Sequence, residues 1–199
     1  MLSEKVVVLR PSQPFTWASG IRSPIYCDNR LLLSNPKGLE IVIEGFEKII
    51  EEGKKSFDVL AGIATAGIPY ASILADHLKK PLIYVRAKPK DHGKGNQIEG
   101  RLQKGQKVLV IEDLVSTGQS SLAAIQAVRE AGGQVDHCLA IFTYGFPKAF
   151  ADFQQAHCQL LPLTHLEVLI QEALSLGKIS EEEVKLIQKF SQDPNGWHR

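Results

Sequence analysis

Residues 107 to 121 read KVLVIEDLVSTGQSS. The apolar run from Lys107 to Ile111 predicts a buried strand, which delivers two carboxylates, Glu112 and Asp113, and then Leu114 and Val115. A turn of small residues follows, Ser116-Thr117-Gly118-Gln119-Ser120, and from Ser120 to Ala131 the apolar positions recur at helical spacing. In an open α/β sheet, ligands bind where strands deliver their carboxyl ends. The turn offers hydroxyls, a glycine that tolerates unusual backbone angles, and free N–H groups at a helix N-terminus, a combination suited to a phosphate dianion. Carboxylates beside a phosphate would repel it, so their partners are sugar hydroxyls, a metal ion, or positive charge developing in a transition state. Those are the demands of a phosphorylated ribose reacting at C1′. The plainer alternative is that Asp113 or Ser116 merely caps the helix.

Working outward, short apolar runs alternate with helical stretches. Strands are expected over Asp58 to Ala61, Leu82 to Val85 and Val135 to Phe142, with a helix over Ile68 to Leu78. An earlier helix is capped by Asn35, starts at Pro36 and carries Leu39, Val42, Ile43, Phe46, Ile49 and Ile50 on one face until Gly53. This alternation predicts an α/β fold, a mainly parallel twisted sheet flanked by helices. After Pro162 two amphipathic helices are expected, Thr164 to Leu176 and Ser180 to Phe190, the second opened by the capping box Ser180-Glu181-Glu182-Glu183. Residues 87–106 are rich in Gly and Lys and show no apolar periodicity. Unstructured loops beyond ~12–15 residues within a domain are usually functional, so this span reads as a lid.

The 199 residues are 44% hydrophobic, enough for a full core, and a single domain is expected: a segment 1–34, a core 35–163, and C-terminal helices 164–199. Twenty-three basic and twenty-two acidic residues leave a net charge of +1, which gives no global field for nucleic acid or membrane. Cys27, Cys138 and Cys158 are odd in number, widely spaced and without a CxxC pair, which points to core thiols in a reducing cytoplasm. No apolar stretch approaches the ~20 residues of a membrane span, and the first residues offer an apolar run too short for a signal peptide. No GxxxxGK[ST] occurs, and the close pair Gly93 and Gly95 does not follow a strand, so nucleotide hydrolysis and dinucleotide binding are disfavoured.

Val108 to Ser121 resembles the phosphoribosyl pyrophosphate (PRPP) signature of type I phosphoribosyltransferases. PFTWASGIRSPIYCDNR at residues 14–30 and VRAKPKDHGKGNQIEG at residues 85–100 are similar to segments of orotate phosphoribosyltransferases in particular. The resemblance implies the type I phosphoribosyltransferase fold, with a small hood built from the N-terminal segment. It also implies transfer of a phosphoribosyl group from PRPP to orotate, with Mg²⁺ bound mainly through PRPP and pyrophosphate, and a homodimer in which the lid of one subunit serves the site of the other.

By the same resemblance PRPP is held by Glu112, Asp113, Leu114, Val115, Ser116, Thr117, Gly118, Gln119 and Ser120, together with Arg86, Lys90 and His92 of the lid. Lys90, His92 and Asp113 carry catalysis, and Glu112 and Asp113 face the ribose 2′- and 3′-hydroxyls. Ser116 and Arg22 meet orotate, and the backbone amides of Gly62 to Gly67 hold pyrophosphate. Trp17 is expected to pack the hood. The sequence departs from the family pattern at several positions: Arg22 stands where the family usually has lysine, Ala66 and Ala87 stand where some members carry lysines, and Lys148 is the only base near Tyr144 to Pro147, where some members place an arginine for orotate. Two alternatives remain open at this point, a transferase for purines or uracil, and a PRPP-sensing regulator without catalysis.

Overall fold

The computed structural model describes residues 1–2, 5–17, 20–88, 97–194 and 196–197. The chain opens with two small antiparallel ribbons. β1 (Val7–Leu9) pairs with β4 (Ile25–Cys27), and β2 (Phe15–Thr16) pairs with β3 (Arg22–Ser23). A 3-10 helix, Asn29–Ser34, leads into α1 (Pro36–Glu52). As expected, Asn35 caps α1, its side chain accepting from Gly38 N at 2.9 Å, and Val42, Ile43, Phe46 and Ile50 form its buried face.

The remaining strands form one sheet: β5 (Val59–Ile63), β6 (Leu82–Val85), β7 (Ile98–Glu99), β8 (Lys107–Val115), β9 (Gln134–Thr143) and β10 (Gln159–His165), in the order β10-β9-β8-β5-β6-β7. All pairs are parallel except β6 with β7. Every residue of β5 is buried, as befits a strand covered on both faces.

The helices are α2 (Gly67–Leu78), α3 (Gln119–Glu130), α4 (Pro147–Gln155), α5 (Leu166–Ser175) and α6 (Glu181–Gln192). From β5 the chain steps to β6 on one side of the sheet, while β8, β9 and β10 extend on the other. Right-handed crossovers therefore put α2 on one face and α3 and α4 on the opposite face. The two core clusters match: Tyr70 and Leu74 of α2 pack with Leu109 and Ile111 of β8, whereas Ile125 and Val128 of α3 and Phe153 of α4 pack with Val108 and Val110.

From α1 onward, the strands and helices differ most from the sequence expectation in four places. β8 runs to Val115 rather than Ile111, because β9 pairs with it as far as Val115↔Thr143. α4 was not foreseen; only Ala149 and Phe153 on it are buried, too few to show a period. β10 was not foreseen either, and it places residues 164 and 165 in a strand, so the following helix starts at Leu166. Pro162 argues against a central strand, but β10 is an edge, where proline is tolerated. Within the span read as a lid, Ile98–Glu99 returns to pair with Tyr84 and Val85, which narrows the excursion.

An aromatic cluster ties the hood to the C-terminal helices. Phe190 of α6 is fully buried and meets Trp17 edge-on at 5.8 Å, Phe146 at 5.6 Å and Trp197 at 5.6 Å, while Trp17 lies 4.8 Å from Tyr144. Trp17 thus packs the hood, as expected, and all three cysteines are buried. Phe190→Ala should lower unfolding free energy by ~3–5 kcal/mol, measured by urea titration. A loss below ~1 kcal/mol would show that the cluster does not hold the hood.

Candidate active site

The strand order reverses between β5 and β8, and ligands in open α/β sheets bind outside the carboxyl ends at such a switch point. β5 ends at Ile63 and turns through Ala64, Thr65 and Ala66 into α2. β8 ends at Val115 and turns through Ser116 and Thr117 into α3. The two loops are neighbours. A Cβ on Gly67 would sit 2.5 Å from the Ile111 carbonyl oxygen and 3.4 Å from the Glu112 Cα, so only glycine lets the start of α2 approach β8 this closely.

Both helices begin without a side-chain cap, at Ala66 and at Gly118. Helices α1, α5 and α6 are capped by Asn35, His165 and Ser180, while α4 starts at Pro147, which has no N–H to satisfy. No side chain claims the first N–H groups of α3, which are thus open to an anion, whereas in α2 the Ile68 N–H donates to the Thr65 carbonyl at 3.3 Å and Pro69 has no N–H. Asp113 lies within β8 and Gly118, in the left-handed region at φ +79°, begins α3, so neither Asp113 nor Ser116 caps the helix.

Side chains alternate along β8. Glu112 continues the Val108 and Val110 face towards α3; Asp113 continues the Leu109 and Ile111 face towards α2. Glu112 is 6% exposed. Its Oε2 accepts from Ser121 Oγ at 3.0 Å, and its Oε1 accepts from Asp113 N at 3.1 Å. Burial, reinforced by the neighbouring Asp113 charge, raises its pKa well above the ordinary carboxylate range. Asp113 is half-buried, and desolvation raises its pKa too, against hydrogen bonds and the Arg30 charge that lower it.

In the loop, Leu114 and Ser116 are half-buried, Val115 and Gly118 buried, and Thr117, Gln119 and Ser120 exposed. Thr143 of β9, fully buried, donates through Oγ1 to the Val115 carbonyl at 3.0 Å. Arg86 follows β6 directly. Its N donates to the Gln97 carbonyl at 2.9 Å, Gln97 Nε2 donates back to the Arg86 carbonyl at 3.0 Å, and Arg86 Nη1 lies 3.7 Å from Glu99 Oε1. The base of the span read as a lid is thus closed by main-chain pairing. Lys90 and His92 lie outside the described residues. Arg22 is exposed on β3, and Lys148 is engaged by Asp152 at 2.6 and 2.8 Å on the surface of α4.

A phosphoribosyl transferase domain model matches residues 29–154. The chain is 49% identical over 197 residues, 99% of its length, to the orotate phosphoribosyltransferase of Coxiella burnetii, of which it covers 94%. The chain belongs to the orotate phosphoribosyltransferase family. Among solved structures it resembles the Aeropyrum pernix orotate phosphoribosyltransferase at 28% identity and TM-score 0.76, covering 90% of this chain and 97% of that one. It also resembles Leishmania donovani UMP synthase at 28% identity and TM-score 0.80, over 96% of this chain but 40% of that longer one. The orotate phosphoribosyltransferases are pentosyltransferases, and the type I fold read from the sequence is the one observed.

Asn29, Tyr70, Ser121 and Thr143, which brace the site, were not singled out in the sequence. One signal for Asn29 was available: after Ile25 and Cys27 it occupies the inward position of a period-two pattern, where a polar residue must find a partner.

Two carboxyls with raised pKa make the free protein more stable when they are protonated. The native chain binds their protons more tightly than the unfolded chain, whose values are the ordinary 4.5 and 3.8. Stability from this source is full at low pH and is lost as pH rises above about 4.5. Urea midpoints of the ligand-free protein should fall on raising the pH from 5 through neutrality, and Glu112→Gln should flatten that fall. An unchanged slope in the variant would show that Glu112 does not ionise at a cost.

Proposed function

We propose that this enzyme transfers the 5-phosphoribosyl group of PRPP to orotate, giving orotidine 5′-monophosphate and pyrophosphate, in cytoplasmic UMP biosynthesis. The observation that carries the reading is the pairing of an acidic strand end with two uncapped helix N-termini at the switch point. The 49% identity to an orotate phosphoribosyltransferase supports the choice of base.

In this reading the ribose 5′-phosphate rests on Ser116 to Ser120 at the start of α3, and pyrophosphate meets the amides of Gly62 to Gly67. Asp113, the more open of the acidic pair, meets the ribose hydroxyls, and Glu112 steadies the phosphate loop through Ser121 as well as facing the sugar. The C1′–O bond to pyrophosphate breaks as the C1′–N bond to the base forms, and the ribose carries positive charge between the two events. Negative charge held in advance beside that ribose stabilises the transition state more than the ground state. Ser116 and Arg22 are assigned to orotate, and Arg86, Lys90 and His92 to the pyrophosphate leaving group. Because orotate is already anionic, positioning and electrostatics suffice for the base.

Mg²⁺ fits this arrangement as an ion carried by PRPP and pyrophosphate oxygens. Among the described residues no group of three His, Cys, Asp or Glu side chains forms a cage, and Asp113 supplies an open carboxylate beside the ribose position. When bound, the ion neutralises charge on the leaving group. Among the described residues no helix is long and apolar enough to cross a membrane.

Loss of orotate absorbance in the presence of PRPP and Mg²⁺ tests the assignment, and chelation of the metal should stop it. Faster consumption of adenine, hypoxanthine or uracil would overturn the choice of base.

The lid is assigned to the partner subunit's site in a two-fold dimer. Homodimers of Lys90→Ala and of Asp113→Asn should each lose ~10²–10³-fold in rate, the usual cost of one preorganised group. Refolding the two together makes half of the dimers mixed, each with one intact site, so roughly a quarter of wild-type activity should return. No recovery from a mixture shown to contain heterodimers would reject the shared site and leave the transferase assignment standing.

A further inference from the structure

β5 pairs with β8 only as far as Gly62↔Ile111, because the chain then turns through Ala64 to Ala66 into α2. Beyond Ile111, β8 keeps β9 as its sheet neighbour and has lost β5. A polar side chain from the hood meets the backbone there. Asn29, 1% exposed, donates through Nδ2 to the Asp113 carbonyl at 2.6 Å across 84 residues of sequence.

The amide of Asn29 is itself oriented. Its Oδ1 accepts from the Cys27 thiol at 3.3 Å, and its backbone carbonyl accepts from the fully buried Tyr70 hydroxyl at 2.6 Å. The thiol is a dependable donor, since burial, then the charges of Asp113 and Asp28, push its pKa up to about 12. The contact to Asp113 therefore joins three parts: the hood that precedes it, the helix α2 that carries Tyr70, and the strand end that bears the acidic pair.

We propose that Asn29 is a positioning residue for catalysis: its side-chain amide, oriented by Cys27 on a main chain held by Tyr70, fixes the backbone at Asp113 and so aims the Asp113 carboxylate at the ribose. This inference rests on the role given to Asp113 above. The energetic reason is that a carbonyl at the end of a strand, half-shielded from water, is unfavourable once its donor is removed. The chain at Asp113 would move to recover a partner. A carboxylate that turns away by even ~1 Å loses much of its effect on a cationic ribose, and misplacement of that size can cost ~10²-fold.

The inference separates positioning from mere structural support through a double-mutant cycle on kcat. In the wild-type background Asn29→Ala should lower kcat ~10–100-fold with KM for PRPP within about threefold, because the 5′-phosphate and pyrophosphate loops are untouched. In the Asp113→Asn background the same substitution should cost less than about twofold, since there is no longer a carboxylate to aim. Tyr70→Phe, which removes a single oxygen and keeps the ring that packs α2, should repeat the pattern at a smaller scale, about 3–10-fold alone and little with Asp113→Asn. It is the variant to read if Asn29→Ala does not fold.

Equal losses in both backgrounds would overturn the proposal, because Asn29 would then act independently of the Asp113 carboxylate. So would a loss that appears mainly as a raised KM for PRPP. Wild-type turnover of orotate, measured in the same series, keeps the two failures apart. If the wild type turns orotate over and the losses are additive, only the positioning role falls. If the wild type does not turn orotate over, the proposed function falls first.

Discussion

The site depends on one constraint, that β8 continues from Glu112 to Val115 past the point where β5 leaves it. A strand end that projects beyond one neighbour carries main-chain groups and side chains out of the sheet and towards a ligand. It also loses a share of its hydrogen bonds, and the rest of the molecule supplies replacements. Asn29 reaches in from the hood to Asp113, Thr143 reaches across from β9 to Val115, and Ser121 reaches back from α3 to Glu112. Gly67 lets α2 press against the same strand at Ile111. Four separate segments of the chain thus converge on a few residues of one strand.

Such convergence is costly in isolation. Two adjacent carboxyls, one nearly buried and one half-buried, raise each other's free energy when both ionise, and the hydrogen bonds that Glu112 accepts come from the Ser121 hydroxyl and the Asp113 main chain, neither of them a cation. A fold built only for stability would place apolar side chains there. The burial of Glu112 beside Asp113, which raises the pKa of both, is an electrostatic conflict of the kind expected where the complementary charge arrives with the reacting ligand. In the proposed reaction that charge appears on the ribose itself.

Much of this was legible in the sequence because the relevant signals are local. The Asn35 and Ser180 caps, the apolar run entering β8, and the small-residue turn before α3 each follow from neighbours within a few positions. The edge strand β10 and helix α4 were not legible, since Pro162 speaks against a strand until the strand is known to be an edge, and α4 buries only two side chains. The bracing residues were hidden for a different reason. Asn29 meets Asp113 across 84 residues, and Tyr70 meets Asn29 across 41. A hydrogen bond of that span leaves no periodicity to read; it exists only once the sheet has set the register.

The departures from the family pattern can be weighed in the same terms. With alanines at positions 66 and 87, and with Lys148 committed to Asp152, these three positions supply no free side-chain cation. Main-chain donors are the natural substitute, because a helix N-terminus contributes roughly half a positive charge that cannot be neutralised by titration and needs no side-chain ordering. Both helices at the switch point start without a side-chain cap, whereas α1, α5 and α6 start with one. Gly118 sits at φ +79° with little room for a Cβ beside Phe153, so α3 starts without a side-chain cap. In the proposed reaction a phosphate takes over the first N–H groups of α3, so ligand binding and helix stability become one interaction there.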